Sequence, residues 1–385
     1  MKTKHRIFAA VSALILILGG CDGTADPAET PAQNQNGEKG SARVTVEGTK
    51  FMVDGKELWI NGVNTPWQHW NDFNGGMDET QWDETFAQLK ADGVNCTRIW
   101  VNCDGACGIW LNDEGEIRTI RDEHWEDLDK LFALAEKHEL YILPTLLSFD
   151  HFKSPNRSNE GWRALVRNKE TADAFAEKYA GEFARRYKDC EYIFAVDLMN
   201  EPDWVHENEE SGQLSWDELS YFFGKCAAAI HENSDLLVTV GMGIVKYNSD
   251  KYEGNKVSDE YLRSLTGEEN AYVDFYSPHY YMWEKPWFGF PFDRSPEDFA
   301  MDGTKPCIIA ETSNDDDRES GMSAAEKYRS SYEKGWNGVM VWMEYRSDGS
   351  SGCDSMWYRY DLTQEATRGM LEAIPEKVFP LGQKE

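Results

Sequence analysis

The stretch of the chain that decides the fold is residues 192–202, which reads YIFAVDLMNEP. Its first half is a short apolar run, typical of a core strand in a parallel sheet. Pro202 cannot donate to a strand ladder, so the strand should end at Asn200 and place Glu201 at its carboxyl edge. In a parallel α/β barrel that edge carries the functional side chains. Taken alone, the stretch fits an ordinary strand entering a polar loop equally well, and the rest of the chain has to decide.

Strand-like and helix-like patterns alternate along the remaining chain. Seven further apolar runs are predicted as strands, at 58–64, 95–102, 140–150, 236–241, 273–281, 306–312 and 338–345. Apolar residues at helical spacing occupy 80–91, 124–138, 171–187, 216–231, 258–265, 296–301, 323–334 and 363–373. Eight strands, nearly all followed by helices, predict an α/β fold of the (β/α)8 TIM-barrel class. A doubly wound open sheet is the alternative, but no Gly-x-Gly-x-x-Gly turn follows the first strand.

A short β-hairpin is predicted before the barrel. Asp54-Gly55 separates two alternating runs between Arg43 and Leu58, and this dipeptide is a strong hairpin turn signal. Such a hairpin could close the bottom of the barrel.

The N-terminal residues are predicted to lie outside the fold. Residues 1–21 combine a basic start, an apolar run at 7–18 that is too short to span a bilayer comfortably, and Leu-Gly-Gly before Cys21. This order predicts a lipoprotein signal peptide with Cys21 as the lipidated residue, although an ordinary secretory signal remains the alternative. Residues 22–41 lack apolar periodicity and are predicted to be a flexible tether, leaving 42–385 for the barrel. We therefore expect an exported bacterial lipoprotein at the outer membrane, on the cell surface or in the periplasm.

Composition narrows the range of partners. The net charge of −30 disfavours nucleic acid and anionic membranes, so membrane contact is expected only through the lipid anchor. The protein is expected to be a monomer. Aromatic residues make up 13% of the chain, with 15 tryptophans, which suggests a binding surface as well as core packing. Cys103 and Cys107 are a candidate disulfide, and the absence of a Cys-x-x-Cys or His-x-His cluster predicts no zinc site.

The carboxyl ends of the predicted strands collect polar and aromatic residues. In chain order these are Asn64, Arg98, His151, Asn200, Glu201, His279, Tyr281, Glu311 and Trp342. Glu201 follows the fourth strand and Glu311 ends the seventh, so the two carboxylates should face each other across the barrel mouth. Two carboxylates that flank one bond are the arrangement needed for glycoside hydrolysis.

These motifs resemble the clan A glycoside hydrolases, and specifically glycoside hydrolase family 5. Asn200-Glu201-Pro202 and Glu311 carry the resemblance, which covers roughly residues 51–370. The opening stretch 50–56 and Gly62-Val63-Asn64 are most similar to the endo-β-mannanase branch of that family. The stretch around His151 departs from the family pattern.

The resemblance implies a role for each matching residue. Glu201 would be the acid/base and Glu311 the nucleophile of a retaining mechanism, with carboxyls about 5–5.5 Å apart. Arg98 would keep Glu311 ionised, and Glu311 would in turn raise the pKa of Glu201. Asn200 would bind the sugar 2-hydroxyl. His279 and Tyr281 would orient the two glutamates, and Trp342 would be the platform under the sugar ring. Apart from the resemblance, Asn64 and His151 are further strand-end candidates. Tryptophans in loops at the top face are candidate sugar platforms: Trp67, Trp70, Trp204, Trp283 and Trp287.

The expected activity is cleavage of internal β-1,4 linkages in a plant polysaccharide, without a metal or other cofactor. Mannan is the first choice of substrate, and a glucan such as cellulose or xyloglucan is the second. A barrel that binds glycans without cleaving them is a third possibility, disfavoured because both glutamates are present. A metal-dependent barrel hydrolase ranks low, because the first strand ends in Gly62-Val63-Asn64 rather than in metal ligands.

Overall fold

The computed structural model describes residues 40–156, 158–342 and 359–382. The predicted signal peptide, Cys21 and the tether as far as residue 39 lie outside the described residues, as do residues 343–345 of the predicted eighth strand. Within the described ranges, no helix has both the length and the apolar character needed to cross a membrane.

Twelve strands are found in the described residues, arranged in three sheets. They are β1 Val44–Glu47, β2 Lys50–Val53, β3 Lys56–Leu58, β4 Ile60–Asn64, β5 Cys96–Trp100, β6 Ile109–Leu111, β7 Ile117–Ile120, β8 Tyr141–Thr145, β9 Val196–Asn200, β10 Val238–Gly241, β11 Ile308–Ser313 and β12 Gly338–Trp342. Seven of them form the main sheet in the order β10-β9-β8-β5-β4-β12-β11, and every pair in it is parallel. This order is the cyclic order of a (β/α)8 barrel with the sixth strand missing.

The segment 273–281, predicted as the sixth strand, closes this gap without forming a regular strand. Its only ladder contacts are the isolated bridges Tyr276 to Cys307 and His279 to Glu311. Backbone hydrogen bonds nevertheless join it to both neighbours, from the Asp274 amide to the Val238 carbonyl at 2.8 Å and from the Ala310 amide to the Pro278 carbonyl at 3.0 Å. The barrel prediction is thus confirmed, with one wall made of irregular backbone that carries His279 into the mouth.

Helices cover the outside of the sheet. They are α1 Glu79–Ala91, α2 Asp122–His138, α3 Asn159–Arg167, α4 Lys169–Phe175, α5 Gly181–Tyr187, α6 Pro202–Glu207, α7 Trp216–Asn233, α8 Asp259–Thr266, α9 Lys285–Phe288, α10 Asp317–Ser320, α11 Ala324–Lys334, α12 Tyr360–Ala373 and α13 Pro375–Val378. A π-helical turn, Ala176–Ala180, joins α4 to α5, so the helix predicted at 171–187 is three consecutive segments. The helix predicted at 296–301 is wrong: these residues form a turn, in which Ala300 has a φ of 80° that no α-helix accommodates.

The bottom of the barrel is closed by an antiparallel sheet of β1, β2 and β3, one strand more than the predicted hairpin. Phe51 on β2 is fully buried, and its ring packs edge-on against Phe194 at 5.0 Å and Phe275 at 5.1 Å. Phe194 comes two residues before β9, and Phe275 lies near the start of the segment 273–281. The plug is therefore at the end of the barrel opposite the carboxyl ends of the strands. The six described cysteines are buried free thiols, and the candidate pair of Cys103 and Cys107 is not bridged.

Candidate active site

Arg98 on β5 is the hub of the barrel mouth. Its guanidinium is fully buried and donates five hydrogen bonds. Two go to Asp197 Oδ2, at 2.9 and 2.8 Å, and one each to Asn64 Oδ1 at 3.2 Å, Asn200 Oδ1 at 2.8 Å and Glu311 Oε1 at 2.5 Å. A planar donor set with this many acceptors fixes the four side chains relative to one another.

The amides of Asn64 and Asn200 lie on either side of this hub. Asn64 Nδ2 donates to the Ala310 carbonyl at 2.9 Å and so ties the end of β4 to β11, beside Glu311. Asn200 ends β9, accepts from Arg98, and lines the open cleft. Asn64 therefore acts within the barrel wall, whereas Asn200 faces the space that a substrate would fill.

Glu311 on β11 is held from two sides. Besides the bond from Arg98, its Oε2 accepts from the Tyr281 hydroxyl at 3.0 Å. The pKa of Glu311 is raised overall, because the effect of burial outweighs the opposing effects of His279 and Arg98. The cation against Oε1 is therefore what favours the ionised form of this buried carboxyl.

Glu201 has an unusual backbone conformation. Its φ of 49° and ψ of 57° are left-handed, because the chain turns sharply from β9 into α6, which begins at Pro202. Its carboxyl accepts from the Trp204 indole at 2.8 Å and pairs with His279 Nδ1 at 3.0 Å. Burial raises the pKa of Glu201 to about 6, against the opposing effects of Trp204 and Arg98. The cause is thus burial rather than the expected charge of Glu311.

His279 joins the two glutamates. Its Nδ1 lies 3.0 Å from Glu201 Oε1 and 3.5 Å from Glu311 Oε2. Burial lowers the pKa of His279 to about 4, so the ring is neutral near pH 7. One carboxylate oxygen from each glutamate and a ring nitrogen of His279 lie within 4.8 Å of one another. Such a short separation fits a direct attack by one carboxylate rather than an intervening water.

The same trio is the only group of metal-ligand type in the described chain. Arg98 supplies a positive charge to Oε1 of Glu311 at 2.5 Å, on the other oxygen from the one that faces His279. Of the two carboxyl groups, Glu311 is therefore the one whose charge is compensated by a cation.

A cleft of about 320 Å3 opens above the pair. Its lining residues are Trp67, Trp70, Trp100, Phe149, Asp150, Lys153, Asn200, Glu201, Tyr281, Glu311 and Trp342. Trp67 packs against Trp70 at 4.8 Å, Trp100 at 5.0 Å and Trp342 at 5.8 Å. We call these four residues the tryptophan cluster; it forms a continuous aromatic wall on one side of the cleft.

A second aromatic pair lies beside Glu201. The ring of Trp204 is 5.9 Å from that of Trp283, and Trp283 is 48% exposed. The predicted platforms thus fall into two groups: Trp67 and Trp342 in the tryptophan cluster, and Trp204 and Trp283 near the other glutamate. Flat aromatic rings on either side of a carboxylate pair suit a chain of sugar rings that passes between them.

His151 does not join the other predicted residues. It is fully buried in a short 3-10 turn, where Ser148 donates to its Nδ1 at 3.2 Å and its ring packs on Trp162 at 4.7 Å. Its neighbours Phe149 and Asp150 line the cleft instead.

Sequence reasoning missed four buried residues of the site. Trp100 lies two residues after Arg98 on β5, and this period-two spacing could have placed it on the inner face. Asp197 is an acid within an apolar strand, a pattern that signals a buried charge partner. Asp203 and Glu284 are fully buried behind Glu201, and no local pattern marked Glu284. The side chain of Asp203 points into the protein, where it accepts from the Gly243 amide.

Comparison with known proteins points to one family. A family model described as Cellulase (glycosyl hydrolase family 5) matches residues 52–340. The mannan endo-1,4-beta-mannosidase of Mytilus edulis is 24% identical over 331 residues, covering 78% of this chain and 88% of the relative. That of Cryptopygus antarcticus is 21% identical over 350 residues, covering 84% and 89%.

Solved structures share the fold. A beta-1,4-mannanase from the sea hare Aplysia kurodai superposes with a TM-score of 0.74 at 21% identity, covering 85% of this chain and 96% of its own. The beta-mannanase of Mytilus edulis gives a TM-score of 0.72 at 21% identity, with the same coverage of 85% and 96%.

Proposed function

Because this chain belongs to glycosyl hydrolase family 5, we propose that it is a retaining endo-β-1,4-mannanase. The observation that carries the proposal is the carboxylate pair itself, in which Glu201 and Glu311 share His279 and approach within 4.8 Å at the mouth of the barrel. The names of the relatives from Mytilus edulis and Cryptopygus antarcticus, both mannan endo-1,4-beta-mannosidases, support the choice of substrate.

In the first step, Glu201 acts as the acid and Glu311 as the nucleophile. The Glu311 carboxylate attacks the anomeric carbon while the Glu201 carboxyl gives its proton to the glycosidic oxygen, so that the C–O bond breaks and a glycosyl ester forms. The neutral ring of His279 and the hydroxyl of Tyr281 hold the two side chains at this separation. Asn200 lies at the cleft edge, where it can bind the 2-hydroxyl of the reacting sugar.

In the second step, Glu201 acts as the base. It takes a proton from a water molecule that attacks the anomeric carbon of the ester, and Glu311 leaves as a carboxylate stabilised by Arg98. Two inversions at the same carbon restore its configuration. Glu201 gave its proton to the leaving group in the first step, so it is already the carboxylate that this step requires.

Each of the two aromatic groups would bind one half of the substrate, on one side of the bond that is cleaved. Trp204 donates to Glu201, the residue that protonates the leaving group, so Trp204 and Trp283 would hold the departing part of the chain. The tryptophan cluster contacts Tyr281, which binds the nucleophile, and would hold the part that forms the ester. Aromatic surfaces on both sides of the bond favour cleavage inside a chain over removal of terminal sugars.

Hydrolysis of a panel of polysaccharides tests the proposal. The purified protein should release oligosaccharides from mannan and glucomannan, more slowly or not at all from carboxymethylcellulose, xyloglucan and xylan, and NMR should detect the β-anomer first. Glu201→Gln and Glu311→Gln should each reduce kcat by at least about a thousandfold, whereas Glu365→Gln on the exposed side of α12 serves as the matched control. Release of oligosaccharides from glucans alone would refute mannan as the substrate. Initial formation of the α-anomer would refute Glu311 as the nucleophile.

We also propose that the protein is exported, anchored by a lipid on Cys21, and monomeric. The basic start, short apolar run and Leu-Gly-Gly-Cys order support export and lipidation, and the net charge of −30 disfavours self-association. Labelled palmitate should be incorporated into the full chain but not into Cys21→Ala, and light scattering on the soluble domain should give the monomer mass. Labelling of the variant, or a dimer mass, would contradict these proposals.

A further inference from the structure

Two buried carboxyl groups behind Glu201 take no part in the chemistry described above. Asp203 on α6 and Glu284, just before α9, are both fully buried. Each has one oxygen without a hydrogen-bond partner, Oδ1 of Asp203 and Oε2 of Glu284. No cationic side chain contributes appreciably to the pKa of either carboxyl, whereas the charge of Glu201 raises the pKa of both.

Both groups face the backbone turn that follows β10. The Gly243 amide donates to Asp203 Oδ2 at 2.6 Å. The Ile244 amide is close enough to lower the pKa of Asp203, and the Val245 amide that of Glu284, although Oδ1 and Oε2 make no hydrogen bond of ordinary geometry. Residues 243–245 therefore lie between the two carboxyls. A Cβ on Gly243 would lie 3.1 Å from Cγ of Glu201, so this turn is pressed directly against the catalytic side chain.

The other oxygen of Glu284 connects it to the nucleophile. Glu284 Oε1 accepts from the Tyr281 amide at 3.0 Å, and the Tyr281 hydroxyl donates to Glu311 at 3.0 Å. Asp203 is thus next to the acid/base through Gly243, and Glu284 is next to the nucleophile through Tyr281.

We propose that Asp203 and Glu284 are positioning residues, two neutral carboxyl groups that hold the turn 243–245 from both sides and thereby fix Glu201 and Tyr281. A buried carboxylate without a cation is strongly disfavoured, and an unpartnered oxygen adds to that cost. The neutral form follows from this environment. Burial raises the pKa of Asp203 to about 8 and that of Glu284 well above its ordinary value.

Neutrality matters because Glu201 changes charge twice in each catalytic cycle. The titratable groups around it are Arg98, Asp150, His279, Tyr281 and Glu311 on the cleft side, and Asp203 and Glu284 behind it. When Glu311 is esterified, Glu201 has to become an anion. An ionised Asp203 at that moment would oppose its loss of a proton, whereas a neutral one lets the carboxyl exchange its proton in both directions.

The test compares neutral isosteres with truncations in the full-length protein. Asp203→Asn and Glu284→Gln should keep kcat within about threefold and the alkaline limb of the kcat/KM profile within about 0.3 pH units. Asp203→Ala and Glu284→Ala should lower kcat by more than about tenfold with KM within about twofold, because the turn is released while the platforms remain.

Three results would overturn the inference. A shift of the alkaline limb of Asp203→Asn to lower pH by about one unit would mean that wild-type Asp203 is an anion that raises the pKa of Glu201. Loss of activity in a folded Asp203→Asn would show that more than a neutral acceptor is needed. Wild-type kcat in both alanine variants would show that the turn needs no such support. If the alanine variants do not fold, the two isosteres decide the question.

The kinetic tests rest on the proposed function. We therefore add one measurement that does not depend on it. At neutral pH, infrared difference spectra should contain a protonated-carboxyl band that is lost in Asp203→Asn and again in Glu284→Gln. An enzyme inactive on every polysaccharide that still shows both bands would refute the proposed function and keep the neutral pair. An active enzyme that lacks both bands would keep the proposed function and refute the neutral pair.

Discussion

Gly241, the last residue of β10, should tolerate no side chain. A Cβ at this position would lie 2.9 Å from Arg98 Nη2, 3.0 Å from His279 Nε2 and 3.1 Å from Asp197 Oδ2. Ordinary contacts begin at 3.4 Å, so Gly241→Ala requires displacements of about 0.3–0.5 Å in groups that are packed at interior density. All three neighbours are fully buried.

None of these groups can move alone. Arg98 donates five hydrogen bonds, one of them to Glu311, and the ring of His279 touches both glutamates. We expect overpacking to lower the free energy of unfolding by about 1–3 kcal/mol. Since a misplacement of 1 Å can cost a hundredfold, a shift of half that size should lower kcat by about 10–100-fold.

Gly369 on α12 provides the matched control. A Cβ there would meet nothing within 4 Å, so Gly369→Ala should leave kcat unchanged and raise the free energy of unfolding by about 0.5–1 kcal/mol through helix propensity. Chemical denaturation and steady-state mannan hydrolysis on the same preparations measure both quantities. Wild-type kcat in Gly241→Ala would refute the view that the carboxylate pair is held rigidly by Arg98 and His279.

Three further predictions concern the acid/base and the barrel bottom. Because Glu201 has to be protonated and its pKa is raised to about 6, kcat/KM should fall as the pH rises through that value; a profile flat to pH 8 would contradict the assignment. Trp204→Phe removes a hydrogen bond that lowers the pKa of Glu201, so the alkaline limb should move to higher pH by about 0.5–1 unit, and an unmoved limb would argue against this contact. Phe51→Ala should lower the free energy of unfolding by about 3–5 kcal/mol while kcat of the folded fraction stays the same, because the plug and the cleft are at opposite ends; equal denaturation curves would show that the plug contributes little.

The sequence predicted the parts of this protein that follow from periodicity. Short apolar runs and helical spacing located seven of the eight barrel strands, and the strand termini then placed Arg98, Glu201 and Glu311 together. The sixth segment was predicted as a strand but makes only isolated bridges, with Cys307 and Glu311. Its Pro278 has no amide to donate to a ladder. The helix predicted at 296–301 is a turn in which Ala300 has a positive φ, and nothing in the helical spacing of the sequence indicated it.

Residues that act through tertiary contacts could not be predicted in the same way. His151 lies next to a strand end, yet its turn directs it onto Trp162 while Asp150 faces the cleft. Glu284 follows Tyr281 in a loop, and only the fold shows that it is buried against the turn after β10. Strand-end position thus identifies candidates for the site, but the direction of each side chain is decided by the loop that carries it.

The left-handed backbone of Glu201 lowers the stability of the fold at a position that the activity requires. A non-glycine residue in this conformation costs about 1–2 kcal/mol, and burying a carboxyl adds a desolvation cost. Asparagine accepts the conformation more readily and carries no charge. Directed evolution for thermal tolerance alone should therefore enrich inactive replacements at position 201. Engineering a hardier enzyme would require selection for turnover at every round.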